Sequence, residues 1–251
     1  MRTLNAPAWL TTRPIAHRGL HDKAARIVEN TPAAAAAAIA ASYAIECDVQ
    51  LTRDGEAVVF HDDRLGRLLR ARGTVSDRTA LELADVSFRD GDDRVPSLGA
   101  YLALIAGRVP LICEIKGRFD GDTRLADRAL AVAEAYAGPL AFKSFDPAII
   151  AHLRRRGASQ PLGIVAERRY SFRDWRFLSR NQRFGLANFL HFSESQPDFL
   201  SFCVEDLPCA VPMLCRMGLG MPVMGWTVRT PTQRETALRH ADQIVFEGMR
   251  P

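Results

Sequence analysis

Residues 45–63 read IECDVQLTRDGEAVVFHDD, in which two apolar runs carry carboxylates and a histidine. It predicts a strand, a turn at 53–55 and an antiparallel strand at 56–62 that ends in His61 and Asp62. Glu46 and Asp48 lie two residues apart in the first strand, so their side chains point to the same face. Buried carboxylates are costly unless they are paired or bind a cation. A surface strand with a solvated acidic face is the alternative, and the neighbouring segments decide between the two.

Short apolar runs that read as strands alternate with helical patterns along the rest of the chain. Together with residues 44–52, the predicted strands span 14–19, 110–117, 140–145, 161–167, 199–207, 221–228 and 242–248. Helices are predicted at 29–43, 95–107, 123–137, 146–157, 173–184 and 231–240, and another ends at Met217. The first helix has Thr31 as its N-cap and Pro32 at its first helical position. Polar, turn-rich sequence fills the segment between the hairpin and residue 95.

Repeated strand–helix units predict parallel strands joined by right-handed crossovers. Eight such strands in a chain of 251 residues predict an α/β fold, a (β/α)₈ TIM barrel with a small hairpin insertion after strand 2. No composition shift or long linker marks a second domain, so we expect residues 1–251 to form one domain. A doubly wound open sheet is the alternative, but no GxGxxG motif opens the first helix.

Composition and charge narrow the class of protein. Hydrophobic residues make up 47% and charged residues 25% of the chain, as in ordinary globular proteins. No long apolar segment predicts a leader or a membrane span, and the five cysteines lack zinc-ligand spacing. We therefore expect a cytoplasmic protein with reduced thiols and no stable membrane insertion. The net charge of +4 suits an anionic substrate, and we expect no nucleic-acid partner. The basic cluster at 64–73 is interpreted as a solvated face, with contact to an anionic lipid surface as the alternative.

Polar side chains cluster at the carboxyl ends of the first predicted barrel strands, where barrel enzymes carry their chemistry. They are His17 and Arg18 on the first strand, Glu46 and Asp48 on the second, His61 at the end of the hairpin, and Glu114 and Lys116 on the third. Three carboxylates select a hard cation, so we expect Mg²⁺ or Ca²⁺. Two histidines suit proton transfer, and the set is typical of phosphodiester cleavage. Internal ion pairs with Arg18 and Lys116 are the alternative.

Several short motifs occur in an order that resembles one known family. They are AHRG at 16–19, ENTP at 29–32, IECDVQLTRDG at 45–55, VVFHDD at 58–63 and ICEIKG at 112–117, followed by KSFD at 143–146 and GWTV at 225–228. This set resembles the glycerophosphodiester phosphodiesterase family, most strongly up to residue 116. The resemblance implies a (β/α)₈ barrel that hydrolyses small glycerophosphodiesters to glycerol 3-phosphate and an alcohol.

The resemblance also implies roles for individual residues. Glu46, Asp48 and Glu114 would bind the metal, His17 and His61 would form the acid–base pair, and Arg18 and Lys116 would hold the phosphate. We interpret Trp226 as a pocket wall that packs the alcohol or glycerol portion. Asp62 and Asp63 are interpreted as turn or cap residues.

Two other functions stay open at this point. A lysophospholipase D would use the same site and need an apolar groove near Phe119, Phe172, Trp175 or Trp226. A barrel that binds a phosphoryl ligand without turnover is the second, although it would not need two proton-transfer groups.

Three segments depart from the family pattern. SYA at 42–44 replaces a glycine pair, Arg229 replaces an asparagine, and VFEG at 245–248 replaces a threonine–aspartate step.

Overall fold

The computed structural model describes residues 3–170 and 175–251 and contains a closed parallel barrel. Its strands are β1 Ile15–Ala16, β2 Ala44–Leu51, β4 Leu111–Ile115, β5 Leu140–Ser144, β6 Leu162–Ala166, β7 Phe199–Cys203, β8 Val223–Val228 and β9 Gln243–Phe246, and β3 Ala57–Val59 pairs antiparallel with β2. The barrel closes because β1 pairs with both β2 and β9. The predicted (β/α)₈ barrel and the hairpin after strand 2 are confirmed.

Helices connect the strands around the outside of the barrel. They are α1 Pro32–Ala40, α2 Ala80–Asp85, α3 Leu98–Ile105, α4 Arg124–Ala133, α5 Pro147–Arg155, α6 Arg180–Ala187, α7 Phe192–Ser195, α8 Ala210–Met213 and α9 Pro231–His240. The Thr31 hydroxyl accepts a hydrogen bond from Ala34 N at the start of α1, as its predicted N-cap role requires. Among the described residues, no helix has the length and apolar character to cross a membrane.

Three predicted elements differ from the structure. The helix predicted at 173–184 starts only at Arg180, where the Ser179 side chain caps it, and residues 173–174 lie outside the described residues. The strand predicted to reach residue 207 ends at Cys203 and continues as a 3₁₀ turn. The helix expected to reach Met217 changes after Met213 into a π-helical turn at Leu214–Gly218.

The segment after the hairpin holds more structure than its polar composition suggested. Apolar side chains from β3 and the following turns form a small separate core of Val58, Phe60, Leu65, Leu69, Val75, Leu83, Phe88 and Val95. Helix α2 and two 3₁₀ turns lie within it. This segment, residues 57–95, is called the insertion below. It fixes the backbone that follows His61, because buried Leu65 anchors the turn at Leu65–Arg67.

Alternation along the strands separates two apolar layers. One layer lies between the strands and the surrounding helices, where Cys47 and Cys113 face the helices side by side. The other fills the lower barrel interior with Ile15, Ala44, Ile112, Ala141, Phe199, Met224 and Val245. Gly163 is required here, since a Cβ at this position would lie 2.3 Å from the Phe199 ring. The interior below the site is therefore closed by packed side chains.

One departure from the family pattern has a backbone explanation. Ser42, in the segment that replaces the glycine pair, has φ +59°, a left-handed conformation that favours glycine. The chain leaves α1 through this residue and enters β2 at Ala44. The turn thus keeps a glycine-like backbone at a cost of about 1 kcal/mol.

Candidate active site

The candidate site forms the layer directly above the apolar floor of the barrel. Side chains two residues further along each strand point to the same interior. Seven strands contribute His17, Glu46, Glu114, Lys143, Ser201, Trp226 and Glu247 in this way. The same sequence period that packs the floor therefore gathers polar groups at the carboxyl ends of the strands.

The three predicted metal ligands come together in this layer. Strand pairing places Asp48 beside Glu114, and Glu46 lies two residues before Asp48 on β2. All three side chains are buried, and each offers an oxygen within 4.8 Å of the other two. A compact set of three carboxylates is a ligand arrangement suited to a divalent cation.

Two lysines balance the charge of these carboxylates. Lys116 Nζ lies 2.6 Å from Asp48 Oδ1 and 2.5 Å from Glu114 Oε1. Lys143, which is 2% exposed, has its Nζ 3.0 Å from Glu46 Oε1 and 3.4 Å from Glu114 Oε2. The alternative to a metal site was a set of internal ion pairs, and Lys116 does form such pairs with Asp48 and Glu114. The ion pairs and the compact set of candidate ligands are therefore both present.

The cations act against the effect of burial on the carboxyl pKa values. Burial alone would raise the pKa of Asp48, but Lys116, His61 and Arg18 hold it well below its usual value. Burial would likewise raise the pKa of Glu114, and Lys116 and Lys143 lower it. In turn, burial would lower the pKa of Lys116, and Asp48 and Glu114 raise it. Asp48 and Glu114 are therefore ionised at neutral pH, as metal ligands must be.

The donor set fits a hard divalent cation. Its ligands are carboxylate oxygens, with neither cysteine nor histidine among the three. Glu46 Oε1 is buried and accepts no hydrogen bond of acceptable geometry among the described residues, despite its nearness to Lys143. A buried carboxylate oxygen in that position retains the capacity to bind a cation.

His17 is held from behind by a carboxylate at the far end of the chain. Its Nδ1 lies 2.5 Å from Glu247 Oε2, while its Nε2 lies 4.0 Å from Glu46 Oε2. Arg229 Nε donates to the other oxygen of Glu247 at 2.6 Å. Two departures from the family pattern, Arg229 and the VFEG segment, therefore compensate each other in one ion pair behind His17.

His61 is held in the same way by its neighbour Asp62. Nδ1 of His61 lies 2.8 Å from Asp62 Oδ1. Arg67, from the insertion, donates two hydrogen bonds to Asp62 and two to Glu29. The interpretation of Asp62 as a turn residue was incomplete, and Arg67 is not part of a purely solvated face.

Arg18 contacts two of the candidate metal ligands and Glu29. It adopts a left-handed backbone conformation with φ +57°, and its N–H donates to Glu46 Oε2 at 3.0 Å. Its guanidinium donates to Glu29 Oε1 at 2.6 Å and lies 3.3 Å from Asp48 Oδ2. Asn30 donates to the same oxygen of Asp48 at 2.9 Å. The ENTP motif thus supports both the arginine and a candidate ligand.

Trp226 lies half-buried at the end of β8. Its Nε1 donates to Ser201 O at 3.0 Å, and its ring packs on Phe145 with centroids 5.5 Å apart. Phe145 contacts Trp175, which contacts Phe119. Three residues of the expected apolar groove therefore form one aromatic wall, and Phe172 lies outside the described residues.

Sequence reasoning missed Glu29, Arg67, Lys143 and Glu247, and it gave Asp62 a different role. Lys143 and Glu247 had an available signal, because each lies two residues beyond an apolar floor residue of its strand. Glu29 and Asp62 lie within quoted motifs. Arg67 had no such signal, because its position depends on how the insertion folds.

Comparisons with known proteins agree on one family. The model of the glycerophosphoryl diester phosphodiesterase family matches residues 17–246. A glycerophosphodiester phosphodiesterase of Caldanaerobacter subterraneus is 36% identical over 115 residues, which cover 43% of this chain and 46% of the relative. The chain thus matches the curated relatives over less than half of their length.

Solved structures share the fold over nearly the whole chain. An Oleispira antarctica phosphodiesterase, solved with the product sn-glycerol-3-phosphate, has a TM-score of 0.75 and 18% identity, covering 95% of this chain and 93% of its own. A glycerophosphodiester phosphodiesterase from Thermotoga maritima has a TM-score of 0.69 and 22% identity, covering 92% of both chains.

Proposed function

The chain belongs to the glycerophosphoryl diester phosphodiesterase family, and we propose that it hydrolyses glycerophosphodiesters to glycerol 3-phosphate and an alcohol. The observation that carries this proposal is a cluster of three buried carboxylates with one histidine close to Glu46 and another close to Asp48, each histidine held through Nδ1 by a further carboxylate. Family membership supports the reaction class, and the side chains supply the groups that the reaction needs.

Glu46, Asp48 and Glu114 would hold a divalent cation, Mg²⁺ or Ca²⁺. When bound, the cation would offset negative charge on the phosphoryl oxygens. Arg18 and Lys116 would add positive charge on either side of the ligand set, since both already contact Asp48. Lys143 is enclosed beneath the carboxylates and would hold Glu46 and Glu114 in place.

His17 and His61 would carry the protons, one as general base and the other as general acid. Each imidazole bonds a carboxylate through Nδ1, which leaves Nε2 as the nitrogen that exchanges a proton with the substrate. A carboxylate in this position fixes the tautomer and ring orientation. The pair would accept a proton from the attacking oxygen and deliver one to the leaving alcohol.

The aromatic wall favours a second candidate, cleavage of lysophospholipids at the same bond. Trp226, Phe145 and Trp175 form a row of contacting rings that starts at the barrel mouth. Rings in a row can pack an acyl chain or an apolar part of the substrate. The two candidates share all proposed catalytic groups and differ only in the non-reacting part of the substrate.

The experiment measures glycerol 3-phosphate released from glycerophosphocholine and glycerophosphoethanolamine, with Mg²⁺, Ca²⁺ or EDTA. We expect cleavage that requires the metal. Lysophosphatidylcholine is assayed in parallel, and release of lysophosphatidic acid from it alone would favour the second candidate. Ligand binding without turnover under every metal condition would overturn both and identify a non-catalytic barrel.

A further inference from the structure

The described residues between β6 and helix α6, 167–170 and 175–179, follow the carboxyl end of a barrel strand and lie at the mouth of the barrel. Phe177, in this loop, lines a cavity of about 1000 Å³ together with His61 and Lys116. The loop follows the carboxyl end of β6, on the same face of the barrel as the candidate site. A surface that meets this loop therefore also faces the opening of the site.

This part of the chain carries a net positive charge. The described residues from the end of β6 to the end of α6, 167–170 and 175–187, contain five arginines and one acidic residue, a net charge of +4. The whole chain also has a net charge of +4, so the remaining residues are together neutral. Four of these arginines, Arg168, Arg169, Arg176 and Arg180, are exposed.

An exposed aromatic side chain lies among these arginines. Phe177 is 61% exposed, although its ring contacts Phe119 and Trp175 at centroid distances of 6.1 Å. Trp175 packs on buried Tyr170 at 5.0 Å, and the Tyr170 hydroxyl accepts a hydrogen bond from Glu167 N. These contacts hold Tyr170 and Trp175 together and leave most of the Phe177 side chain exposed.

We infer that the basic rim, formed by Arg168, Arg169, Arg176, Arg180 and Phe177, is a docking surface for an anionic lipid bilayer. Arginine head groups meet lipid phosphates while their aliphatic stems lie on apolar surface. An exposed phenyl ring enters the boundary between headgroups and acyl chains. The binding is peripheral and reversible, and it brings the mouth of the site to the lipid surface.

Charge complementarity favours this partner over a neutral surface. Attraction to an anionic leaflet grows with each basic residue near it, and it falls within a Debye length, about 10 Å at 0.1 M salt. The rim joins this charge with an apolar ring, and the two together are typical of interfacial proteins. A single-stranded nucleic acid would use the same charge and stack on the ring, so it is tested as a competitor.

The experiment is sedimentation of the full chain with phosphatidylcholine vesicles, alone or with about a third of phosphatidylglycerol. We expect binding to the anionic vesicles at roughly 0.1 M salt and loss of binding at roughly 0.5 M. The double variant Arg176→Gln/Arg180→Gln should lower the partition coefficient about 25-fold, roughly fivefold for each arginine. Phe177→Ser should lower it several-fold.

Met217→Ser is the matched control. Met217 is 80% exposed but precedes β8, at the opposite end of the barrel, so its replacement should leave vesicle binding unchanged. No binding to anionic vesicles at low salt, or equal binding by the arginine variant, would overturn the inference. The same holds if an oligonucleotide binds through the rim arginines and vesicles do not.

Vesicle binding is separable from the proposed chemistry. The arginine variant should keep wild-type cleavage of glycerophosphocholine, because both side chains lie on the exposed rim and are not among the proposed catalytic groups. If the protein cleaves no diester but still binds anionic vesicles, the proposed function fails and the docking surface stands. If it cleaves diesters but ignores vesicles, the reverse holds.

Discussion

His17 and His61 have the same local arrangement but depend on different parts of the molecule. Each bonds a carboxylate through Nδ1, and each carboxylate is bonded in turn by an arginine. The partner of His17 lies 230 residues away, at the end of the last barrel strand. The partner of His61 is the next residue, in the insertion. Each histidine and its carboxylate form a dyad. The His17 dyad therefore depends on closure of the barrel, and the His61 dyad depends on docking of the insertion.

Exposure to water separates the two dyads further. The His17 side chain is 11% exposed and that of His61 is 31% exposed. Water can replace a lost partner more easily at an exposed imidazole than at a buried one. Loss of the carboxylate partner should therefore lower activity more at His17, in the barrel half of the site, than at His61, in the half formed by the insertion. Both histidines serve the same proposed reaction.

Removing either imidazole tests whether both His17 and His61 take part in proton transfer. His17→Ala and His61→Ala should each lower kcat by roughly 10²–10⁴, because each removes one proton-transfer group. The carboxylate ligands stay intact, so calorimetry should still detect metal binding. Glu46→Ala is the contrasting variant and should weaken metal binding as well. Near-wild-type turnover in either histidine variant would show that the acid–base assignment is wrong.

Neutralising the supporting carboxylates tests the difference between the halves. Glu247→Gln should lower kcat roughly 10- to 100-fold, because the carboxylate no longer orients the enclosed His17. Asp62→Asn should have a smaller effect, since water can support the more exposed His61. Asp63→Asn, in the exposed neighbour of Asp62, is the control and should retain activity. A larger loss in Asp62→Asn than in Glu247→Gln would reverse the ranking.

Arg67 connects the insertion to the barrel and offers a smaller but sharper test. Arg67→Ala removes four hydrogen bonds to Asp62 and Glu29, and we expect about a tenfold lower kcat. The side chain is 46% exposed, so added guanidinium should reach the gap and restore part of the activity. Arg72→Ala, in an exposed arginine of the same segment, should show neither the loss nor the rescue. Failure of guanidinium to rescue a folded variant would argue that Arg67 acts only through stability.

The two halves also differ in what the sequence could predict. The rule that i and i+2 share a face predicted the ligand set on β2 and β4, and the motifs predicted both histidines. The same rule applies to Lys143 above Ala141 and to Glu247 above Val245. The rule predicts the face on which each side chain lies but not the side chain that it contacts, so it assigned no partner to either residue.

Arg67 and Asp62 illustrate a different limit. Periodicity describes elements that repeat, and the insertion contains short turns whose order comes from a small core of its own. An aspartate after a strand is typical of turns, so its bond to the preceding histidine could not be separated from that role. Periodicity therefore could not predict the tertiary contacts of this irregular segment.

Acid unfolding gives the smallest predicted effect and compares the two carboxylates directly. Burial alone would raise the pKa of Glu247, but the hydrogen bond to His17 and the nearby His21, 3.9 Å away, hold it well below the usual 4.5. Burial would also raise the pKa of Asp62, and bonds from His61 and Arg67 hold it below the usual 3.8. A carboxyl with a lowered pKa in the folded state stabilises the protein above its unfolded-state value, and this contribution is lost as the pH falls.

The free energy of unfolding of the wild type should therefore exceed that of Glu247→Gln and Asp62→Asn at pH 7. Both gaps should narrow as the pH falls, that of Glu247→Gln from about pH 4.5 downward and that of Asp62→Asn from about pH 3.8 downward. Urea unfolding at pH 7 and in steps of about 0.5 from pH 5.5 to pH 3 measures them. Because the decline starts at different pH values, the two curves also distinguish the dyads from each other. Gaps that stay constant down to pH 3 would mean that the ion pairs orient the histidines without stabilising the fold.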